Sequence, residues 1–188
     1  MHILDHRIDS ARWLDSPNCD ERPEPDDISL LVIHCISLPP EQFGEDYIDH
    51  LFCNCLSPDQ HPYFQDIYQL RVSAHVLVRR DGLLVQYVPF DRRAWHAGVS
   101  NYRGRERCND FSIGIELEGS VNQGYEDIQY QQLAKLIQLL LANYPKLTKD
   151  SIVGHSDIAP GRKSDPGPWF DWQRLWGLLD DKGDLAVV

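Results

Sequence analysis

The sequence predicts an α/β domain in which a buried sheet is covered by amphipathic helices. Three stretches carry that prediction. Residues 28–37 read Ile-Ser-Leu-Leu-Val-Ile-His-Cys-Ile-Ser, almost continuously apolar, as in a strand covered on both faces. Residues 111–119 alternate instead, with Phe111, Ile113, Ile115 and Leu117 on one face and Ser112, Gly114, Glu116 and Glu118 on the other. From Asp127 to Tyr144, Ile128, Leu133, Leu136, Ile137 and Leu140 form one stripe of a helix, which Asp127 caps and Pro145 ends. At 188 residues, 42% hydrophobic and 25% charged, the chain suits one domain with a sizeable core.

The other elements follow in order. Residues 1–27 are polar and close on Glu21-Arg22-Pro23-Glu24-Pro25-Asp26-Asp27, which reads as an irregular, extended lead-in. Pro39-Pro40 closes the first strand, and residues 41–52 hold a helix with Ile48, Leu51 and Phe52 on one face. Residues 71–80 form a strand, Asp81-Gly82 a hairpin turn and residues 83–88 its partner. Ser151-Ile152-Val153 leads a short strand ending at His155, and residues 170–179 form a last amphipathic helix. The domain is thus expected over 28–180, with a frayed tail over 181–188.

Composition narrows the function. A formal net charge of −11 argues against non-specific binding to nucleic acid or to an anionic membrane. The N-terminal residues carry no apolar core of a signal peptide, and no apolar run approaches membrane-spanning length. Five scattered cysteines, Cys19, Cys35, Cys53, Cys55 and Cys108, read as reduced thiols of a cytoplasmic protein. Cys53-Asn54-Cys55 is too short for a metal knuckle.

The chemistry gathers around residues 154–168, a stretch stiffened by Pro160, Pro166 and Pro168. It offers His155, Lys163 and Asp165 close together on a rim where binding residues collect. His34 stands near the end of its buried strand as His155 does, and sheet ligands gather at such ends. Two histidines and one carboxylate would leave one position of a zinc ion open for water. Glu116 can take a proton from that water, with Gly114 beside it leaving room, and Lys163 can neutralise an oxyanion. The reading is a metal-assisted amide hydrolase. His75 is a further ligand candidate, although a core or supporting imidazole suits it as well. Trp95 can stack on a flat sugar or peptide face, and Arg103, Arg105 and Arg107 form a local basic cluster suited to carboxylates. A glycosidase using Glu116 and Glu118 is the alternative, but it leaves both histidines and Asp165 without a role.

Several motifs in order resemble one family: Ile33-His34, Ser73-Ala74-His75, Arg80-Asp81-Gly82, Ala94-Trp95-His96-Ala97-Gly98, residues 107–116 and Lys163-Ser164-Asp165-Pro166-Gly167. They are similar to those of the zinc-dependent N-acetylmuramoyl-L-alanine amidases, and most of all to the cytoplasmic anhydro-N-acetylmuramoyl-L-alanine amidases of peptidoglycan recycling. The resemblance implies a mixed sheet flanked by helices, as in the peptidoglycan-recognition proteins. It implies zinc held by His34, His155 and Asp165, with Glu116 as general base and Lys163 stabilising the transition state. It places Arg71 and Arg107 on the carboxylates of a stem peptide, and Trp95 and His96 beside the substrate. The implied enzyme is a monomer acting on a small anhydromuropeptide and indirectly influencing β-lactamase induction. Two positions depart from the pattern. Cys35 follows the first ligand where Asn is frequent, and Ala74 stands where phage-type enzymes carry tyrosine, so the base role falls to Glu116. A non-catalytic fragment-binding module on the same fold would be expected to lose a metal ligand, and this chain keeps all three.

Overall fold

The computed structural model describes residues 1–180; the tail expected over 181–188 lies outside the described residues. The first residues form four short strands, β1 (Ile3–Leu4), β2 (Arg7–Ile8), β3 (Arg12–Trp13) and β4 (Cys19–Glu21). Then follow β5 (Leu30–Ile36), α1 (Tyr47–Phe52), α2 (Phe64–Ile67), the hairpin β6 (Val76–Val78) and β7 (Leu84–Gln86), and β8 (Arg92–Ala94). The second half contains β9 (Asn101–Tyr102), β10 (Arg105–Glu106), β11 (Ser112–Glu118), α3 (Asp127–Asn143), β12 (Ile152–Gly154), α4 (His155–Ile158) and α5 (Trp172–Asp180).

Six strands make one sheet in the order β12-β5-β11-β6-β7-β3. Its first four strands are parallel, β7 returns antiparallel to β6, and β3 lies parallel on β7, so the sheet is mixed. β5 and β11 are buried on both faces because each face has its own cover. On one face Leu31, Ile33, Ile113, Ile115 and Leu117 pack with Leu133, Ile137 and Leu140 of α3 and Leu175 of α5. On the other, Leu30 and Val32 of β5 pack with Ala97, Cys108, Phe111 and Ile158, and further along the sheet Leu77, Val85 and Tyr87 pack with Ile48, Leu51 and Phe52 of α1 and with Phe64 of α2. Among the described residues no helix is long and apolar enough to cross a membrane.

The structure departs from the sequence expectations at identifiable places. The lead-in over 1–27 is not irregular: β3 extends the main sheet and β4 pairs with β8. Pairings of two or three residues carry no period by which a sequence could reveal them. The helix expected over 41–52 forms only from Tyr47, because Glu41 and Gly44 adopt left-handed φ of 62° and 91°. The strand expected over 71–80 joins the ladder only at Val76, since Ser73 N–H bonds Trp95 O instead. Helix α3 takes its cap from Glu126, in a reciprocal capping box with Gln129, rather than from Asp127.

Glu118 also departs from the sequence pattern. The alternation puts it with Glu116 on a cleft floor, yet its carboxylate is buried and accepts Gly44 N–H at 2.6 Å and Arg80 N–H at 3.0 Å. It ties the chain before α1 to the sheet. Beside it Arg79 reaches Asp49 Oδ2 at 2.9 Å and Glu45 O at 2.9 Å, while Tyr87 donates its hydroxyl to Asp49 Oδ1. Asp49 thus neutralises a guanidinium that is itself buried. Arg79 would keep Asp46 and Glu118, but the buried Tyr87 hydroxyl and one guanidinium nitrogen would lose their acceptor, so Asp49→Ala should lower the unfolding free energy by about 1–3 kcal/mol in denaturant melts.

Candidate active site

Three adjacent parallel strands deliver the functional side chains. Glu116 of β11 lies level with His34 of β5, and Gly154 of β12 lies level with Ile33, so His155 follows beside His34. All three stand at or beyond the carboxyl ends of their strands, where a parallel sheet opens a crevice. His155 also starts α4, a single helical turn where the sequence suggested loop. Ser156 N–H donates to Asp165 O at 3.0 Å, which folds the proline-rich loop back and brings Asp165 to the histidines. That return passes so close to Gly154 that a Cβ there would lie 2.8 Å from Pro166 Cδ.

The three candidate ligands converge on one point. His34 Nδ1 lies 3.0 Å from His155 Nδ1 and 3.1 Å from Asp165 Oδ2, and His155 Nδ1 lies 3.0 Å from the same oxygen. The outer nitrogens determine what faces that point. His155 Nε2 is 3.1 Å from Ala97 O, which only accepts, so the proton sits on Nε2 and Nδ1 presents a lone pair. His34 Nε2 lies 2.9 Å from His96 Nδ1, to which it donates in the matching tautomer, the one a metal-binding Nδ1 requires. Burial drives the His34 imidazole down to about 4, so it is neutral near neutral pH. With both histidines in that tautomer, two imidazole lone pairs and a carboxylate oxygen face one another, a donor set that fits a divalent cation.

Glu116 and Lys163 line the same cavity, which has a volume of about 480 Å³. Glu116 Oε2 is buried and has no hydrogen-bond partner among the described residues. Burial pushes its carboxyl well up, the Asp165 charge adds to that, and Lys163 opposes both. Trp95 lines the cavity and donates from its indole to Asp20 Oδ1 at 3.2 Å. Cys35 lines it too, with burial pushing its thiol up to about 12.

Other candidates stand elsewhere. His75 is outside the ligand cluster: its Nδ1 accepts Gly114 N–H at 3.0 Å and its Nε2 faces Arg92 O at 3.0 Å, so it is a backbone-bonded core imidazole. Arg71 is exposed near Asn54 and Gln69, and Arg107 lines a separate shallow pocket with Arg162; neither is among the residues lining the cavity of the triad. His96 lines the cavity but spends both ring nitrogens on His34 and on Ser112 Oγ, 2.9 Å away. Gly114 does not leave room for water, because the His96 ring fills the space. Arg162, which no sequence motif singles out, donates to Ala97 O and Val99 O at 2.6 Å and stands 3.5 Å from His155 Nε2.

A mixed sheet with this constellation at its parallel strand ends defines a hydrolase built on a two-histidine, one-carboxylate centre. The family model for N-acetylmuramoyl-L-alanine amidases matches residues 24–168, and the chain belongs to that family. It is 60% identical over 167 residues to the 1,6-anhydro-N-acetylmuramyl-L-alanine amidase AmpD of Haemophilus influenzae, covering 89% of this chain and 91% of that one. A crystal structure of a selenomethionine AmpD derivative matches with a TM-score of 0.93 at 56% identity, over 95% of this chain and 99% of that one. The N-acetylmuramyl-L-alanine amidase AmiD of Escherichia coli, in complex with the substrate anhydro-N-acetylmuramic acid-L-Ala-D-γ-Glu-L-Lys, matches with a TM-score of 0.58 at 32% identity, over 92% of this chain and 60% of that one.

The packing of Gly114 is directly testable. A Cβ there would lie 2.4 Å from His96 Cγ, so Gly114→Ala must displace the ring that supports His34. The variant should lose about 1–3 kcal/mol of stability and, while still folded, retain less divalent metal after dialysis. Thermal melts and metal analysis on the same sample measure both.

Proposed function

We propose that this protein hydrolyses the amide bond between anhydro-N-acetylmuramic acid and the L-alanine of a stem peptide, with zinc held by His34, His155 and Asp165. The observation that carries the reading is the convergence of two imidazole lone pairs and one carboxylate oxygen within 3.1 Å, beside the unpartnered Glu116 Oε2. The identity to the AmpD enzyme along most of both chains supports the substrate class. When bound, zinc supplies positive charge that polarises the amide carbonyl and acidifies water.

The chain's own groups do the rest. Glu116 Oε2, buried and uncommitted, accepts a proton from the attacking water and returns it to the departing alanine nitrogen. Lys163 extends its ammonium to the charge that develops on the carbonyl oxygen only in the transition state. Trp95 offers an aromatic surface to the substrate along the same cavity. Arg71 and Arg107 serve the peptide carboxylates from outside the central cavity. The five cysteines are free thiols, which suits a reducing cytoplasm and peptidoglycan recycling there by a monomer. Consuming anhydromuropeptides would indirectly influence β-lactamase induction. The catalytic unit spans 28–180, and the lead-in over 1–27 completes its edge.

Chelation should abolish turnover, and added zinc should restore it; full activity with no metal bound would refute the reading. Glu116→Gln and Lys163→Ala should each keep zinc yet lose about 10²-fold or more in single-turnover rate on an anhydromuropeptide. Near-normal rates in Glu116→Gln with zinc in place would remove it as the base. Arg71→Ala and Arg107→Ala should raise KM more than they lower kcat, and an unchanged KM in both would assign these arginines to structure.

A further inference from the structure

Both histidines of the cluster are held from behind by one dipeptide. His96 Nδ1 lies 2.9 Å from His34 Nε2, and the Ala97 carbonyl accepts the Nε2–H of His155 at 3.1 Å. The orientation of two ligands on different strands therefore depends on where residues 96 and 97 stand. That stretch leads away from β8 and belongs to no strand or helix of its own. Asn109 is the side chain that holds both of its N–H groups: Asn109 Oδ1 accepts His96 N–H at 3.2 Å and Ala97 N–H at 2.8 Å, while Arg162 donates to the Ala97 carbonyl at 2.6 Å. The Asn109 carbonyl is in turn anchored by Arg22 Nη1 at 3.2 Å, and Arg22 is buried. From the far side, His96 Nε2 meets Ser112 Oγ on β11 at 2.9 Å, while Gly114 gives the ring its space.

We infer that Asn109 is a positioning residue for the metal centre, clamping residues 96 and 97 so that His96 and the Ala97 carbonyl fix the tautomer and direction of both histidine ligands. Its carboxamide oxygen is the working atom, because backbone N–H groups donate to it. The Ala97 carbonyl puts the proton of His155 on Nε2, a His34 that offers Nδ1 to a metal must likewise donate from Nε2 to His96, and both Nδ1 atoms then face Asp165 Oδ2. Without the clamp the dipeptide can move, and each imidazole gains rotational freedom and the choice of the other tautomer. Asn109 touches neither ligand, so its effect is transmitted wholly through the two residues it holds.

The inference rests on the metal assignment to His34, His155 and Asp165, and the test separates the two. The zinc dissociation constant of the purified chain is measured by competition with a chromophoric chelator, alongside circular dichroism and kcat. Asn109→Ala should weaken zinc binding about 10- to 100-fold, the range typical of lost outer hydrogen bonds to ligands, and kcat should fall with metal occupancy. Asn109→Asp keeps an acceptor oxygen in the same place and should bind zinc near the wild-type value. Should Asn109→Ala fail to fold, Ser112→Ala probes the same support by removing one hydroxyl, and zinc affinity should fall in the same direction. Wild-type affinity in both alanine variants, or equal weakening in Asn109→Asp and Asn109→Ala, would overturn the clamp while leaving the metal site standing. A wild-type chain that binds no zinc would instead overturn the metal assignment and the inference with it.

Discussion

Three electron-pair donors facing one another at 3.0–3.1 Å are the constraint on which the site end of this molecule depends. Two neutral imidazoles and an ionised carboxylate repel or at best ignore each other at that separation unless a cation lies among them. A chain does not adopt such an arrangement for its own stability. The convergence has to be imposed by elements whose stability comes from elsewhere. The parallel register of β12, β5 and β11 imposes the spacing of His155, His34 and Glu116, and the closing loop imposes Asp165.

That division of labour explains why the two faces of the sheet differ. The face under α3 and α5 is an uninterrupted apolar layer that includes Ile33, Ile115, Leu133, Ile137 and Leu140. The opposite face, level with the same strand positions, carries His34, His75, Gly114 and Glu116, which contribute little hydrophobic stabilisation. Burial there is tolerable because the imidazoles have partners, His75 from Gly114 N–H and Arg92 O and His34 from the His96 ring. Among the described residues the exception within the cavity is Glu116 Oε2, and an unsatisfied buried acceptor is costly enough to mark a group kept for chemistry.

The sequence made the site more legible than the fold around it. His34, His155 and Asp165 could be picked out because each interrupts a pattern with its own signature, an apolar strand or a proline-rich loop. Glu116 and Glu118 could not be told apart, since period two places them alike; only the chain folding back at Gly44 turns Glu118 into a structural acceptor. Gly114 was legible as a space but not as a space already filled, because the ring that fills it comes from another segment. His96 read as a residue beside the substrate for the same reason: its partner His34 lies 62 residues away in the chain. The short pairings β3–β7 and β4–β8 were invisible because they are imposed by tertiary contacts and carry no repeat.

The position of Cys35 shows how tightly the two layers are joined. It follows His34 in β5, so its side chain leaves the strand on the opposite face, yet at the strand's end it still borders the cavity. Its thiol packs against the apolar layer under α3 to which Tyr125 belongs, and Tyr125 donates its hydroxyl to Pro166 O at 2.6 Å. Tyr125 in turn lies over Gly119, where a Cβ would come within 2.4 Å of its ring. The loop that carries Asp165 is therefore tied to α4 through Ser156 and, just beyond Asp165, to Tyr125 of the apolar layer. Asp165 is consequently positioned from the site side and from the apolar layer of the molecule at once.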